Sequence, residues 1–534
     1  MKRLMKTGIH RDQPAPAEKT TEPDVALYMP SCSRGASEAK VATHACCQIH
    51  LQQQQQQLPP RSIFRPGPGP HVLVVPFSAQ GHALPLLDFA SQLAARGLRL
   101  TVVTTPANLP LLSPLLAAYP SSIRPLTLPF PTHNSLPPGV ESTKNCPPSF
   151  FPAFIHAFAA LHHPILSWAN SQQQQHDPVV AIVSDFFCGW TQPLAAELGV
   201  PRLVFSPSGV LGAAVPHSLL RRLVRRPPDD ADDGFKVAFP GIPGEPAYQW
   251  REISMMYRMY TEGRLEPQVG EAVRRNFLWN LESWGFVSNT LRALEGRYLE
   301  APLEDLGFRR VWAVGPLAPE KDVAGDRGGE AAVSAGDLGA WLDGFPEGSV
   351  VYVCFGSQTV LNQAVAAALA EALELSAVPF VWVVGAGAGD EVVPQGFEAL
   401  VSRGRVVRGW APQVAVLRHA AVGWFMTHCG WNSVLEAVAA GVPMLAWPMT
   451  ADQFVNARLL VDEARVAVRA CAGGVGVAPD ARELAAMLAG AVGEGGGGAR
   501  ARARELAKEA ASATMEGGSS RDDLDRLVRE IRKL

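Results

Sequence analysis

At 534 residues, 47% of them hydrophobic, the chain exceeds the usual size of one hydrophobic core and carries apolar material for two. A net charge of -3 removes any global electrostatic reason to expect a nucleic acid or an anionic membrane as partner, which leaves small molecules as the expected ligands. No segment reaches the ~18 uninterrupted apolar residues of a membrane span, and the N-terminus lacks an apolar export core. The eight cysteines, at 32, 46, 47, 146, 188, 354, 429 and 471, lack the short repeated spacings of a zinc site or a secreted disulfide scaffold. Reduced thiols and a cytoplasmic location are the expectation.

Residues 1–69 are polar, carry a glutamine run at 52–57 and end in "RPGPGP"; without a periodic apolar face they are expected to be a disordered extension. An organelle transit peptide is the alternative, against which the acidic Glu18, Glu22 and Asp24 stand. From His71, "HVLVVPFSAQGHALPLLDFASQLAARGLRLTVVTT" reads as strand, Gly-containing loop, amphipathic helix stopped near Gly97, and strand. "PVVAIVSDFFCGWTQPLAAELGVPRLVFS" at 178–206 repeats the alternation, so an open parallel sheet is expected in the N-terminal half. The glutamines at 172–175 and the acidic "RRPPDDADDGF" at 225–235 read as loops, and the stretch 311–337 as an interdomain linker.

A second alternation follows, with "SVVYVCFGSQ", "PFVWVVG", "RVVRGW", "AAVGWFMTHCG" and "GVPMLAWP" as strands and helices at 362–376 and 433–440. A charged terminal helix, roughly 499–533, is interrupted at "EGGSS". The organisation expected is an acceptor-binding domain at 70–315, a linker at 316–336, a second domain at 337–512 and a terminal helix at 513–534.

"FMTHCGWNSVLEA", 425–437, fits a strand, tight turn and helix start, where free backbone N–H groups and the helix dipole face an anion. Ser433 and Glu436 also spell a capping box, useful in any helix, but that explains neither His428 nor Asn432. Trp410 after one strand, and Asp452 with Gln453 after another, fall on the carboxyl edge where open sheets bind ligands. An indole can stack a planar base, and the acid and amide suit sugar hydroxyls. "GAGAGD" at 385–390 is not a dinucleotide fingerprint, and Asp523–Leu524–Asp525, a D-x-D spelling, is expected on a solvent-facing helix.

In the N-terminal half, His82 lies where the loop after the first strand meets a helix N-terminus, which favours a neutral, proton-accepting imidazole. Asp185 ends the apolar run "VVAIVSD" and could hold the other ring nitrogen. A structural histidine and a helix cap are the plain alternatives for these two residues.

Taken together, "WAPQVAVLRHAAVGWFMTHCGWNSVLEAVAAGVPMLAWPMTADQ", Trp410 to Gln453, resembles the signature box of plant secondary-product UDP-glycosyltransferases, and the wider resemblance runs from about His71 to the C-terminus. The resemblance implies an α/β GT-B fold, two Rossmann-like doubly wound domains facing a cleft, with the terminal helix packing back on the N-terminal domain. It also implies that Trp410 stacks on uracil, Gln413 lies beside the uridine and Glu436 takes the ribose hydroxyls. Ser357, His428, Asn432 and Ser433 would hold the diphosphate, and Trp431, Asp452 and Gln453 would line the sugar, the last of these commonly associated with UDP-glucose. His82 and Asp185 match the family's catalytic pair.

The expected activity is inverting transfer of glucose from UDP-glucose to a small hydroxylated aromatic acceptor, a phenolic or flavonoid. It would proceed without a metal, the UDP-sugar being a co-substrate and no cofactor needed, in a monomer. Acceptor-lining loops are expected at 77–82, 145–160, 186–190, 206–210 and 250–260. Two alternatives stay open: a catalytically silent nucleotide-sugar-binding protein, and the same fold used as an epimerase or with UDP-xylose, UDP-rhamnose or UDP-galactose.

Overall fold

The two sets of apolar runs fold as two all-parallel sheets. The computed structural model describes residues 69–144, 146–227, 234–300, 310–317, 331–385, 392–400 and 402–534. The expected extension at 1–69 therefore lies outside the described residues except for Gly69, as do most of the linker, the centre of the acidic loop and most of "GAGAGD".

In the N-terminal half the strands are β1 (His71–Val75), β2 (Arg99–Thr104), β3 (Ile123–Thr127), β4 (Val179–Asp185), β5 (Arg202–Ser206), β6 (Lys236–Ala238), β7 (Ala247–Gln249), β8 (Gly285–Ser288) and β9 (Val311–Ala313). The C-terminal half contributes β10 (Val350–Cys354), β11 (Phe380–Val384), β12 (Gly404–Arg408), β13 (Val422–Thr427), β14 (Met444–Ala446) and β15 (Ala467–Arg469). Four helices position the site or close the fold: α1 (Gln80–Ala95), α2 (Pro267–Leu281), α3 (Trp431–Ala440) and α4 (Ser519–Ile531).

The larger sheet runs β3-β2-β1-β4-β5-β8-β9 and the smaller β12-β11-β10-β13-β14-β15; β6 and β7 make a separate antiparallel pair. Each parallel sheet starts at a central strand, grows outward for two strands, then returns to the centre and grows the other way. Their central strands are near-continuous apolar runs because both faces are covered: Leu73 and Val75 of β1 pack into one buried cluster, Val72 and Val74 into another. The first of these clusters is shared by the two halves, holding Phe158 and Phe187 together with Phe425 and Val434.

The terminal helix crosses back. Leu524, Leu527, Val528 and Ile531 of α4 join the cluster of Val72, Val74 and Phe89 on the N-terminal sheet. Ser520 Oγ donates to the Gly315 carbonyl at 2.6 Å, and Arg96 pairs with Asp525 at 2.5 Å.

Four expectations are corrected. Val311–Ala313 is not linker but β9, paired with β8 at the sheet edge, because Trp312 is 2% exposed and needs that cover. Gln172 to Gln174 end a helix, His162–Gln174, in which Gln172 is buried and accepts from Arg124 at 2.8 Å. Asp523 does not face solvent: it is 3% exposed, takes the Ala313 N–H at 3.1 Å and pairs with Arg526 at 2.7 Å. Finally, α3 begins at Trp431, two residues before Ser433, with Gly430 as its N-cap.

Leu527 is fully buried between α4 and the sheet. Replacing it with Ala is expected to destabilise the protein by about 2–5 kcal/mol, read as a lower urea midpoint at unchanged slope.

Candidate active site

A ligand crevice opens in a doubly wound sheet where the strand order reverses. In the N-terminal sheet that point lies between β1 and β4, paired at Val75 and Ser184, and His82 and Asp185 stand at their carboxyl ends. His82 is the third residue of α1. Its Nδ1 meets Asp185 Oδ2 at 3.0 Å and Oδ1 at 3.2 Å, with the acid fully buried and the imidazole 17% exposed. A carboxylate only accepts, so Nδ1 carries the proton, and in the neutral ring Nε2 is the nitrogen with the lone pair. Asp185 also caps the short helix Phe186–Cys188, accepting from the Phe187 N–H at 2.8 Å. One carboxylate thus both caps the short helix and holds the imidazole.

Rings surround the pair. Phe187 stacks on His82 at 4.7 Å between centroids, Phe77 meets its edge at 5.6 Å, and Phe186 lies tilted at 5.4 Å. Phe151 and Phe158 extend the cluster around Phe77.

The C-terminal sheet reverses between β10 and β13, paired at Cys354 and Thr427. The loop after β10 carries Gly356 and the exposed Ser357; the turn after β13 carries His428, Cys429 at φ 63° and Gly430. Both glycines are there for the imidazole of His428: a Cβ would stand 2.6 Å from its Nε2 at Gly356 and 2.3 Å at Gly430. Burial pushes the pKa of His428 down to about 4, so this ring is neutral and bonds without carrying charge.

Gln413 gathers three further residues. Its Nε2 donates to Ser433 Oγ at 2.9 Å and to Glu436 Oε2 at 2.7 Å, while its Oε1 accepts from Tyr352 at 3.3 Å. Ser433 is therefore no cap; it and Glu436 meet through Gln413. Trp410 is half-buried and its carbonyl accepts from the Ala332 N–H at 2.8 Å. Gln453 is buried, its Oε1 receiving the N–H groups of Met449 and Thr450 at 2.9 Å each, which leaves the NH2 end of the amide for another partner.

Three of the expected donor-site residues reach across to the other domain. Asn432 Nδ2 donates to the Gly81 carbonyl at 2.8 Å, next to His82. Asp452 Oδ2 accepts from Ser208 at 2.5 Å and from Asn456 at 3.1 Å. Trp431 is 4% exposed, its indole N–H given to the Asn289 carbonyl at 2.7 Å and its ring packed on Gly209. The Trp431 indole is thus a contact between the two domains. Ser208 fell within an expected lining loop, but its pairing with Asp452, and Asn289 altogether, carry no local signal, since each acts only through a partner more than a hundred residues away.

Among the described residues no group of three or more His, Cys, Asp or Glu side chains could hold a metal ion, and no helix is long and apolar enough to cross a membrane.

A family model described as "UDP-glucoronosyl and UDP-glucosyl transferase" matches residues 308–472, and one described as "Glycosyltransferase, N-terminal domain" matches residues 71–199. The chain is 50% identical over 431 residues to flavonol 3-O-glucosyltransferase UGT89B1 of Arabidopsis thaliana, covering 79% of this chain and 88% of that protein. To UDP-glycosyltransferase 89B2 of Stevia rebaudiana it is 46% identical, covering 86% and 97%. Among solved structures, Arabidopsis thaliana UGT89C1 complexed with UDP-L-rhamnose superposes with a TM-score of 0.71 at 34% identity, covering 87% of this chain and 99% of that one. Two reversed parallel sheets meeting across a cleft, and this degree of likeness along both of them, make the chain a member of the plant UDP-glycosyltransferase family, an enzyme of GT-B fold.

Proposed function

We propose that the enzyme transfers glucose from UDP-glucose to a hydroxyl of a small phenolic or flavonoid acceptor, in one in-line displacement with inversion at the anomeric carbon. The observation that carries this reading is the His82 imidazole held through Nδ1 at 3.0 Å by a carboxylate sealed from water, with Nε2 available as base. Nε2 takes the acceptor's hydroxyl proton, the oxygen attacks the anomeric carbon, the bond from that carbon to the diphosphate breaks, and UDP leaves. Asp185 offsets the positive charge that develops on the ring. The ring cluster of Phe77, Phe186 and Phe187 suits a flat aromatic aglycone.

On the leaving side, the N-terminus of α3 offers backbone N–H groups without a side-chain cap, with His428, Asn432, Ser433 and Ser357 as further donors to the departing diphosphate. In this scheme these groups do the electrostatic work without a metal, and the UDP-sugar is a co-substrate rather than a cofactor. Trp410 takes the uracil, Gln413 lies beside the uridine and Glu436 takes the ribose. Asp452 and the NH2 end of Gln453 serve the sugar hydroxyls. Asn432 and Asp452 would exchange their present partners, Gly81 and Ser208, for the donor.

Glucose is favoured by Gln453 and by the likeness to a flavonol 3-O-glucosyltransferase at 50% identity. The second reading is UDP-rhamnose, because the structural neighbour UGT89C1 is solved with UDP-L-rhamnose; its complex with quercetin supports a flavonoid acceptor under either reading. A cytoplasmic monomer is part of the same proposal, supported for location by the free state of Cys146, Cys188, Cys354, Cys429 and Cys471.

The deciding experiment is a mass-spectrometric screen of UDP-glucose, UDP-rhamnose, UDP-xylose and UDP-galactose against quercetin and simple phenols. Reaction with glucose alone supports the proposal, and reaction only with another donor overturns it. His82→Ala is expected to lower turnover by about 10²- to 10⁴-fold while UDP affinity stays unchanged by calorimetry; full turnover in this variant removes His82 as base. Gly430→Ala, at φ −61° and ψ 135°, an extended backbone that any residue adopts, is expected to push the His428 ring aside. UDP affinity should fall by about tenfold or more with little change in melting temperature, roughly 1.4 kcal/mol of binding per tenfold.

A further inference from the structure

The turn Asp185–Gly189 is gripped from beneath. Two asparagines four residues apart on one face of α2, Asn276 and Asn280, each donate Nδ2–H to the Phe186 carbonyl at 2.8 Å. Asn276 Oδ1 takes the Gly189 N–H at 2.5 Å, and a Cβ on Gly189 would stand 2.0 Å from the Asn276 carbonyl, so α2 lies directly on the turn. The Cys188 carbonyl accepts from Thr191 Oγ1 at 2.7 Å and from Arg202 Nη2 at 3.2 Å.

Asn280 is itself fully engaged. Its Oδ1 accepts from Arg202 Nη2 at 2.9 Å, and its second N–H goes to His217 Nε2 at 3.1 Å. That nitrogen is an acceptor because His217 Nδ1–H is given to the Ala213 carbonyl at 2.7 Å, and burial pushes the ring's pKa down to about 4.

Arg202, on β5, is 1% exposed, and its bonds go to neutral oxygens: Ser184 Oγ, Thr191 Oγ1, Ser283 Oγ, Asn280 Oδ1 and the Cys188 carbonyl. A guanidinium buried without a contacting carboxylate is a costly way to pack a strand. Burial lowers its pKa to about 9, and the negative charge of Asp185 is among the groups working against that shift.

We infer that Arg202, Asn276 and Asn280 are positioning residues for the transfer reaction: they fix the turn from which Asp185 reaches His82, and so the direction in which the imidazole presents Nε2 to the acceptor. Arg202 braces the same turn through the Cys188 carbonyl and Asn280 Oδ1. The inference rests on His82 as the base. A network that only held the fold together would act on stability and on donor binding as much as on turnover, whereas one that acts through the dyad has no effect left once His82 is gone.

The test uses the full chain with UDP-glucose and quercetin, in four variants: Asn280→Ala, Asn276→Ala, His82→Ala and the double variant His82→Ala with Asn280→Ala. Each asparagine variant is expected to lower kcat by about 10- to 100-fold, the scale of an ångström's misplacement, with the Kd for UDP held within about twofold. In the His82→Ala background, Asn280→Ala is expected to cause no further loss. Unchanged kcat in both asparagine variants overturns the proposal, as does the same fold-loss with and without His82. Should Asn280→Ala fail to fold, Asn276→Ala decides, since it leaves the Arg202–Asn280 bond intact; unfolding of both makes the network structural and the proposal falls. Full turnover in His82→Ala alone is a separate result that removes the base assignment itself.

Discussion

The reversal of strand order in each sheet is the constraint on which the site depends. A parallel sheet can begin at its centre and grow both ways only by leaving one pair of neighbouring strands whose following loops diverge, and that divergence opens a crevice at their carboxyl ends. Here the pairs are β1 with β4 and β10 with β13. Each half of the chain therefore delivers two short loops to one edge, and the two edges face each other. Trp431 on Asn289, Asn432 on Gly81 and Asp452 on Ser208 join them, over a buried cluster that is continuous between the halves. The terminal helix, anchored on the N-terminal sheet after the chain has left the C-terminal one, ties the halves a second time.

Two histidines at the two crevices show how the same side chain is set for different work. His428 sits between two glycines and has no carboxylate partner among the described residues; burial alone drives its pKa to about 4. It serves as a neutral group that can bond to an oxygen without adding a charge that must be screened. His82 is tied to Asp185 and walled by phenylalanine rings, so a proton taken at Nε2 meets a compensating charge across the ring. Removing the carboxylate from one environment, or the glycines from the other, would exchange neither function for the other.

Both parallel sheets were legible from apolar runs bounded by glycines, because strands buried on two faces leave long unbroken stretches, whereas the GT-B class came from the resemblance carried by Trp410 to Gln453. One edge strand was not: β9 is three residues long and reads as the start of a Pro- and Gly-rich connector until Trp312 is seen to need cover. Within the site, the residues on the strand-loop-helix junctions could be picked out because the chain itself places them at carboxyl edges. Those acting sideways could not. Arg202 is one charged residue in an apolar strand, and Asn276 and Asn280 are two polar positions on a helix; only packing shows that they converge on one turn. The resemblance assigned Trp431 to the sugar, and its large ring is buried against the other domain.

The start of α3 resolves the competition between capping and ligand binding in an unexpected way. "SVLE" from Ser433 has the spelling of a capping box, yet the helix begins at Trp431, and the N-cap is Gly430, which has no side chain to offer. A Ser or Asp at that position would ordinarily stabilise the helix by about 0.5–2 kcal/mol relative to a residue that cannot cap. Any such side chain would begin with a Cβ 2.3 Å from the His428 ring, so the cap and the imidazole exclude each other. The chain keeps the imidazole, and the first N–H groups of α3 remain unmatched by a side chain at the point where the proposed diphosphate lies. Ser433 and Glu436, free of capping duty, are drawn together by Gln413 instead, which links the helix to the loop carrying Trp410. Under the proposed function, the same short stretch holds the loop for the uracil and leaves its backbone donors for the phosphates, so that Gln413 wires together two parts of one ligand site.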